Sequence, residues 1–211
     1  MNKNFIVALI AVIICLILLL ITGLTNYKLF NKKKYSFLSY FPFELFDKPL
    51  MRFNLLVQIM SALFCASLGV FYLYVFNSFD GMFYKVEIFL GIVISLLMFS
   101  TFYLRILSDK IHLIVSSLFI IISTLNSFFL GYIALINSYI LVFNALPYIL
   151  FGICLIELIL LLNPKMKNCM KLQANEKGEL ERPRVFYLAF VEWSYIFLNV
   201  INVILIAFGI A

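Results

Sequence analysis

Six long apolar runs limit what this sequence can fold into. They cover approximately residues 5–24, 55–76, 88–107, 111–135, 139–162 and 185–211. A helix needs about 20 mostly apolar residues to cross about 30 Å of hydrocarbon, because each residue adds about 1.5 Å. The alternating pattern of membrane barrel strands is absent. The runs therefore predict an all-α polytopic membrane protein, with a bundle of six transmembrane helices forming one domain over residues 1–211.

The composition supports lipid as the surroundings of these runs. Hydrophobic residues make up 65% of the 211 positions and charged residues 12%, whereas soluble domains have about 45–50% and about 25%. A soluble core of this size cannot absorb so much apolar surface without leaving large patches in water. The first run is too long for a typical signal peptide and lacks an A-x-A-like cleavage site. We therefore expect it to remain as the first membrane helix.

The basic residues predict the orientation of the bundle. Residues 25–54, residues 163–184 and the two positions that flank the turn between the third and fourth runs, Arg105 and Lys110, hold 14 of the 16 lysines and arginines. Only Lys3 and Lys85 lie on the other side. By the positive-inside rule we expect these loops to be cytoplasmic and both termini to be extracytoplasmic. Because the net charge of +6 lies in loops beside apolar runs, we expect no nucleic-acid partner.

The first cytoplasmic loop contains a strongly aromatic stretch, residues 35–46, directly after three consecutive lysines. Such a pattern is typical of a segment in the membrane interface, with its ammonium groups near anionic headgroups. Two interpretations stay open. The favoured one is an anchor that fixes the topology, and the other is a binding surface for lipid or a partner. The expected lipid-interface contacts are Lys32, Lys33, Lys34, Tyr35 and Tyr40.

Small residues recur with a spacing of four in two of the runs. They are Ser61, Cys65 and Gly69 in the second run and Ser123, Ser127 and Gly131 in the fourth. Lipid provides no hydrophobic drive for association, so small residues at this spacing usually mark faces where helices approach closely. We expect these faces to pack within the chain, and an oligomer or partner contact is the alternative.

The sixth run carries a polar stripe. Glu192, Tyr195, Asn199 and Asn202 follow steps of three, four and three residues, so they share one face of a helix. Polar side chains facing lipid are costly, which predicts that the stripe faces protein or water. An interhelical polar seam is the simpler interpretation, and one wall of a substrate or ion path is the sharper one.

Two carboxylates lie within the predicted spans. Glu157 and Glu192 are about 8 and about 10 Å from the cytoplasmic ends of the fifth and sixth helices. Consecutive helices are often neighbours, so the two groups are expected near each other, with Arg105 able to reach the same level. A salt bridge to Arg105 is as well supported as a proton or substrate site. In the fifth run, Pro147 predicts a kink or break.

Enzyme signatures are missing from the sequence. There is no HExxH zinc motif, P-loop or GxSxG elbow. The one histidine, His112, is interpreted as a surface or capping residue. The four cysteines contain no CxxC pair, so we expect neither a metal site nor a redox motif, and no cofactor.

These features leave three functional hypotheses. The first is a non-catalytic membrane protein that binds another membrane component, either as an accessory subunit of a transport or secretion complex or as an immunity protein against a membrane-active toxin. The second is a small transporter or permease with a carboxylate-lined path, and the third, least favoured, is a lipid-modifying enzyme. The expected partners are the lipid bilayer and another membrane protein. The vocabulary rich in Phe, Ile, Leu and Lys suits an AT-rich genome, which favours a bacterial plasma membrane.

Overall fold

The computed structural model describes residues 3–46, 53–103, 109–137, 141–169, 172–174 and 180–209. The described part of the chain forms six α-helices: α1 Lys3–Asn31, α2 Asn54–Phe76, α3 Met82–Tyr103, α4 Asp109–Ile136, α5 Leu146–Leu162 and α6 Tyr187–Gly209. Short 3-10 helices cover Pro42–Leu45 and Pro164–Asn168, and two two-residue strands, β1 Gln173–Ala174 and β2 Leu180–Glu181, pair antiparallel. Apart from that pair and the connecting loops the described residues are helical, so the prediction of an all-α fold is confirmed.

Five of these helices are long and apolar enough to cross a membrane: all except α5. α5 has 17 residues and begins at Leu146, with Pro147 in its first turn. Proline fits the first turn of a helix, where its missing N–H costs no bond, but not a helix interior. The fifth predicted span is therefore wrong at its start, since residues 141–145 precede the helix. In this segment the Val142 amide bonds the Gly209 carbonyl at 2.8 Å.

Two other predicted ends differ from the structure. α1 continues to Asn31, beyond the apolar run, and Asn26 in that extension binds the backbone of the next loop, donating to the Leu45 carbonyl. α3 begins at Met82, six residues before the predicted span, directly after Gly81 with φ +139°. Glycine suits this position because other residues rarely adopt that φ. Hydropathy marks the apolar part of a helix and misses polar turns at its ends.

The helices pack in chain order, and α6 lies against several of them. Each of α1 to α5 contacts the next, while α6 contacts α1, α2, α4 and α5. α6 is the most enclosed of the long helices and α1 the least. Large apolar side chains point outward, including Leu55, Phe89, Ile114 and Tyr148. An apolar exterior of this extent suits lipid better than water.

The two ends of the bundle differ in charge. The basic end carries exposed or partly exposed cationic side chains: Lys32, Lys33, Lys34, Lys165, Lys167, Arg182 and Arg184. The far end holds the α2–α3 loop and the start of α1, which meet through the rings of Phe5 and Phe79 at 6.3 Å.

Candidate functional site

A segment of the α1–α2 loop enters the bundle at the basic end. Phe41, Phe43, Leu45 and Phe46 are each at most 3% exposed, and Pro42 starts the short 3-10 helix among them. We call residues 41–46 the plug. This stretch was predicted to lie in the lipid interface, but it is buried against α1, α3 and α6. Its aromatic content therefore serves packing inside the protein.

Under the plug lies a buried pair of ionisable groups. His112 of α4 places Nε2 3.0 Å from Oε1 of Glu192 on α6, and Ser116 donates to the same oxygen at 2.6 Å. The rings of Phe41 and Phe43 stand edge-on to the imidazole, with centroids at 5.3 and 5.0 Å. His112 is 1% exposed, so its interpretation as a surface or capping residue is wrong. The pair is enclosed by apolar rings.

An ion pair between Arg182 and Glu44 holds the plug in place. The Arg182 guanidinium contacts Oε2 of Glu44 at 2.8 Å and also donates to the Ser39 carbonyl. The Glu44 carboxylate accepts from the Phe41 amide at 2.6 Å, which fixes the turn of the plug. The guanidinium carbon lies 5.1 Å from the ring centroid of Phe186. This arrangement joins the loop before α6 to the loop after α1.

Replacing Arg182 with alanine should loosen the plug. The change removes charge-assisted bonds to Glu44 at a partly buried site, so we expect a loss of about 1–2 kcal/mol of unfolding free energy. Thermal unfolding in detergent, followed by size-exclusion chromatography, measures this loss. Arg184→Ala is the matched control, because Arg184 is exposed and a surface change of this kind usually stays within about 0.5 kcal/mol. Equal melting temperatures for the two variants would contradict a role of Arg182 in holding the plug.

Tyr35 links the same loop to α6. Its hydroxyl donates to the Phe41 carbonyl at 2.6 Å and accepts from the Trp193 indole at 2.9 Å. Burial raises the pKa of Tyr35 well above its usual value, so the phenol stays protonated and able to donate. The Trp193 indole also lies 3.1 Å from the Tyr40 carbonyl.

The polar stripe was expected to face protein or water rather than lipid, and in the structure it faces α4. Its four members are fully buried. Asn199 donates to Ser123 at 3.0 Å and Asn202 donates to Ser127 at 2.7 Å. Tyr195 lies 3.0 Å from Thr124, hydroxyl to hydroxyl. We call the following set the polar seam: Glu192, Tyr195, Asn199 and Asn202 of α6, with His112, Ser116, Ser123, Thr124 and Ser127 of α4.

Glu157 of α5 borders this seam. The Tyr195 hydroxyl donates to its backbone carbonyl at 2.7 Å. The Glu157 side chain is fully buried and within reach of Ser127, but neither carboxylate oxygen makes a hydrogen bond of normal geometry among the described residues. Among the described residues no hydrogen bond joins Glu157 to Glu192, and His112 is the ionic partner of Glu192. A carboxyl group enclosed in this way is costly when charged and is typical of a functional position.

The remaining predicted site residues take different places. Lys32, Lys33 and Lys34 are exposed at the basic end, while Tyr35 and Tyr40 are partly buried. Lipid contact by these five residues stays a prediction. Arg105 lies outside the described residues. The small-residue faces pack within the chain, as expected: Ser61 bonds the Tyr103 hydroxyl at 2.9 Å, and a Cβ on Gly131 would lie 3.0 Å from the Phe151 ring.

Sequence reasoning missed Glu87, which is fully buried in α3. The predicted span began one residue later, so this carboxylate was left in a loop. Glu87, Gly91 and Ser95 have the same spacing of four that marked α2 and α4. Ser95 donates to the Cys65 carbonyl of α2, which confirms that this face makes a close helix contact. That spacing was the available signal for Glu87.

Among the described residues no three His, Cys, Asp or Glu side chains come together to hold an ion.

No family model, curated protein or solved structure matches this chain.

Proposed function

We propose that this chain is a small multi-pass membrane transporter that moves protons or other small cations along the polar seam. The observation that carries the proposal is Glu157, a buried carboxyl group whose oxygens make no regular hydrogen bond among the described residues, beside a line of hydroxyl and amide groups. Within membranes, enclosed carboxyl groups are rare, and they mark proton relays and ion pathways. Glu192 and His112 form a second ionisable site, which lies nearer the basic end.

The proposed transporter crosses the membrane with all six helices as one domain. The non-helical residues 141–145 precede α5 and complete its crossing. The basic end faces the cytoplasm and both termini lie outside, because the excess of lysine and arginine at that end follows the positive-inside rule. The composition suits a bacterial plasma membrane.

The packing of the seam supports a path more than a plain structural contact. Small residues on α4 keep α6 close. Hydroxyl groups of α4 and amide groups of α6 line the contact between His112 and Ser127, over about 22 Å of α4. Asn199 and Asn202 each keep a carbonyl oxygen without a hydrogen-bond partner among the described residues. Such oxygens are able to accept a bond from a passing cation, proton or water molecule. The plug covers the seam at the basic end, and we assign this arrangement to an occluded state of the proposed transporter.

Flux in proteoliposomes tests this proposal. Proton flux is followed with an internal pH dye under a potassium diffusion potential. Sodium and potassium fluxes are followed with their own dyes in separate vesicles that hold an ion gradient and no potassium ionophore. We expect Glu157→Gln and Glu192→Gln to reduce the flux by about tenfold or more, because each replaces an ionisable carboxyl group with an amide. Asp80→Asn is the matched control, since Asp80 is an exposed carboxylate in the α2–α3 loop. Undiminished flux in both Gln variants, at normal protein levels, would overturn the proposal.

One observation favours the other candidate, a non-catalytic protein that binds another membrane component. α1 is the least enclosed long helix, and a shallow apolar groove beside it is lined by Val7, Ala8, Ala11, Val70 and Tyr74. Small residues on an outward face suit a close helix contact. An accessory subunit or an immunity protein would use such a face. Gentle purification from the host, with mass spectrometry, would then recover a stoichiometric membrane partner, and Ala8→Leu would release it.

A further inference from the structure

Glu87 is a third buried carboxyl group, and it lies on the other side of the bundle from the basic end. It is fully buried in α3, and both of its oxygens lack hydrogen-bond partners among the described residues. Since α3 begins at Met82, Glu87 lies about 8 Å from the far end of that helix. Neither the polar seam nor the plug includes it.

Tyr72 and Asn126 connect Glu87 to the seam. Tyr72 of α2 is 1% exposed, and its hydroxyl accepts a bond from the Asn126 amide at 3.0 Å. Asn126 precedes Ser127, a seam residue, on α4. The root of the Tyr72 ring also lies against Gly91, one helical turn from Glu87 on α3. Tyr72 therefore links the face of α3 that carries Glu87 to the polar seam, through Asn126.

The Tyr72 ring is fixed in this position. A Cβ on Gly91 would overlap Cγ of Tyr72, so only glycine leaves room for the ring. Gly91 is one helical turn from Glu87, on the same face of α3. The Phe76 ring stacks at 6.0 Å from Tyr72, and Tyr84 stacks at 6.3 Å from Phe76 toward the far end. The rings of Phe76 and Tyr84 therefore lie at the far end of the bundle, where α2 ends and α3 begins.

We propose that Glu87 is the proton-exchanging group at the far end, and that the path carries protons between Glu87 and the His112–Glu192 pair by way of Tyr72 and Glu157. This inference rests on the proposed function and identifies the transported ion as the proton. Protons suit the arrangement better than metal cations, because a bound cation needs several oxygen ligands converging on one point. Within the described residues the carboxyl groups are spread singly along the bundle.

The proposed transfer conserves protons and charge. The Glu87 carboxylate takes up one proton from the far side and becomes neutral. Among the described residues neither carboxyl group is hydrogen-bonded to the Tyr72 hydroxyl, so the transfer follows a movement of these side chains into contact. The Tyr72 hydroxyl then accepts the proton from Glu87 and passes its own proton to the Glu157 carboxylate, so Tyr72 is unchanged and Glu87 returns to the carboxylate. Glu157 then releases its proton along the seam to the Glu192 carboxylate beside His112. Glu192 releases it to water at the basic end when the plug opens, so each group returns to its starting state.

The test uses the full-length protein in proteoliposomes with an internal pH dye and a potassium diffusion potential. We expect Glu87→Gln to lower the proton flux about tenfold or more, and Glu87→Asp to retain a substantial part of it, because only the second variant keeps an ionisable group. Tyr72→Phe should lower the flux as well, since it removes the hydroxyl and keeps the packed ring. Size-exclusion profiles confirm that each variant is folded.

Each outcome has a definite meaning. If Glu157→Gln abolishes proton flux but Glu87→Gln leaves it intact, this inference is overturned and the proposed function stands. Flux of sodium or potassium without protons would also overturn it. A wild-type protein that moves no ion would remove the proposed function and this inference together.

A second measurement applies if Glu87→Gln does not fold. Dicyclohexylcarbodiimide reacts with protonated carboxyl groups in apolar surroundings. Mass spectrometry of the wild-type protein in vesicles is expected to find the adduct on Glu87. Labelling of Glu157 without labelling of Glu87 would count against the inference.

Discussion

Gly91→Ala is expected to break the α2–α3 contact and prevent recovery of a monodisperse protein. The new methyl group would overlap Cγ and Cβ of Tyr72, which are atoms close to the α2 backbone. They cannot swing aside as the end of a long side chain can, so the helices have to separate. Overpacking usually costs about 1–3 kcal/mol, and an overlap at the root of a buried ring belongs at or above the upper end.

The matched control is Gly152→Ala. Gly152 is also in a helix, but a methyl group there would meet no atom of the described residues within 4 Å beyond its own stretch of helix. Alanine at this position should be neutral or stabilising by about 0.5–1 kcal/mol, because it restricts the unfolded chain. The loss of monodisperse protein on heating in detergent measures both variants. If Gly91→Ala and Gly152→Ala melt at the same temperature, the close approach of Tyr72 to α3 is refuted.

A double-mutant comparison separates this clash from helix propensity. Combining Gly91→Ala with Tyr72→Ala removes the ring that the new methyl group meets. The double variant should therefore lose less stability than the sum of the single changes, since residues in contact are not additive. Additive losses would show that Gly91 matters for another reason.

The fold was largely predictable because lipid imposes a simple rule on sequence. Runs of about 20 apolar residues have to be helices, and α2 and α4 were placed to within one or two residues at both ends. The polar stripe of α6 was equally predictable, because 3.6-residue periodicity puts Glu192 and Asn199 on one face. Hydropathy locates helix ends poorly. Glu87 lies just before an apolar run, although α3 begins earlier in the chain than Glu87.

The plug and the His112–Glu192 pair were not predictable in this way. The pair joins α4 to α6, and its enclosure comes from Phe41 and Phe43 in a third part of the chain. Local patterns report which face of a helix is polar, but they do not report which distant loop covers that face. An aromatic loop beside lysines has the same composition whether it lies in the membrane interface or folds back into the bundle.

Trp193→Ala should produce the second large loss, because this residue joins α6 to the loop that carries the plug. Trp193 is the only tryptophan of the chain and is 1% exposed. Its indole donates to the Tyr35 hydroxyl, and its ring packs edge-on against Phe37 with centroids 4.8 Å apart. Removing a buried ring of this size costs about 3–5 kcal/mol. We also expect faster cleavage by chymotrypsin within residues 35–46, since the loop loses its contact with α6.

The control for this change is Phe208→Ala, which removes an aromatic ring from the other end of the same helix. Phe208 is 44% exposed and points outward, so its removal leaves no enclosed cavity. Trp193→Phe separates the two contributions: it keeps a ring against Phe37 but deletes the indole N–H, and should cost about 1–2 kcal/mol. Thermal unfolding in detergent and chymotrypsin digestion together test this order. If Trp193→Ala and Phe208→Ala are equally mild, α6 does not hold the plug loop, and the occluded basic end would need another support.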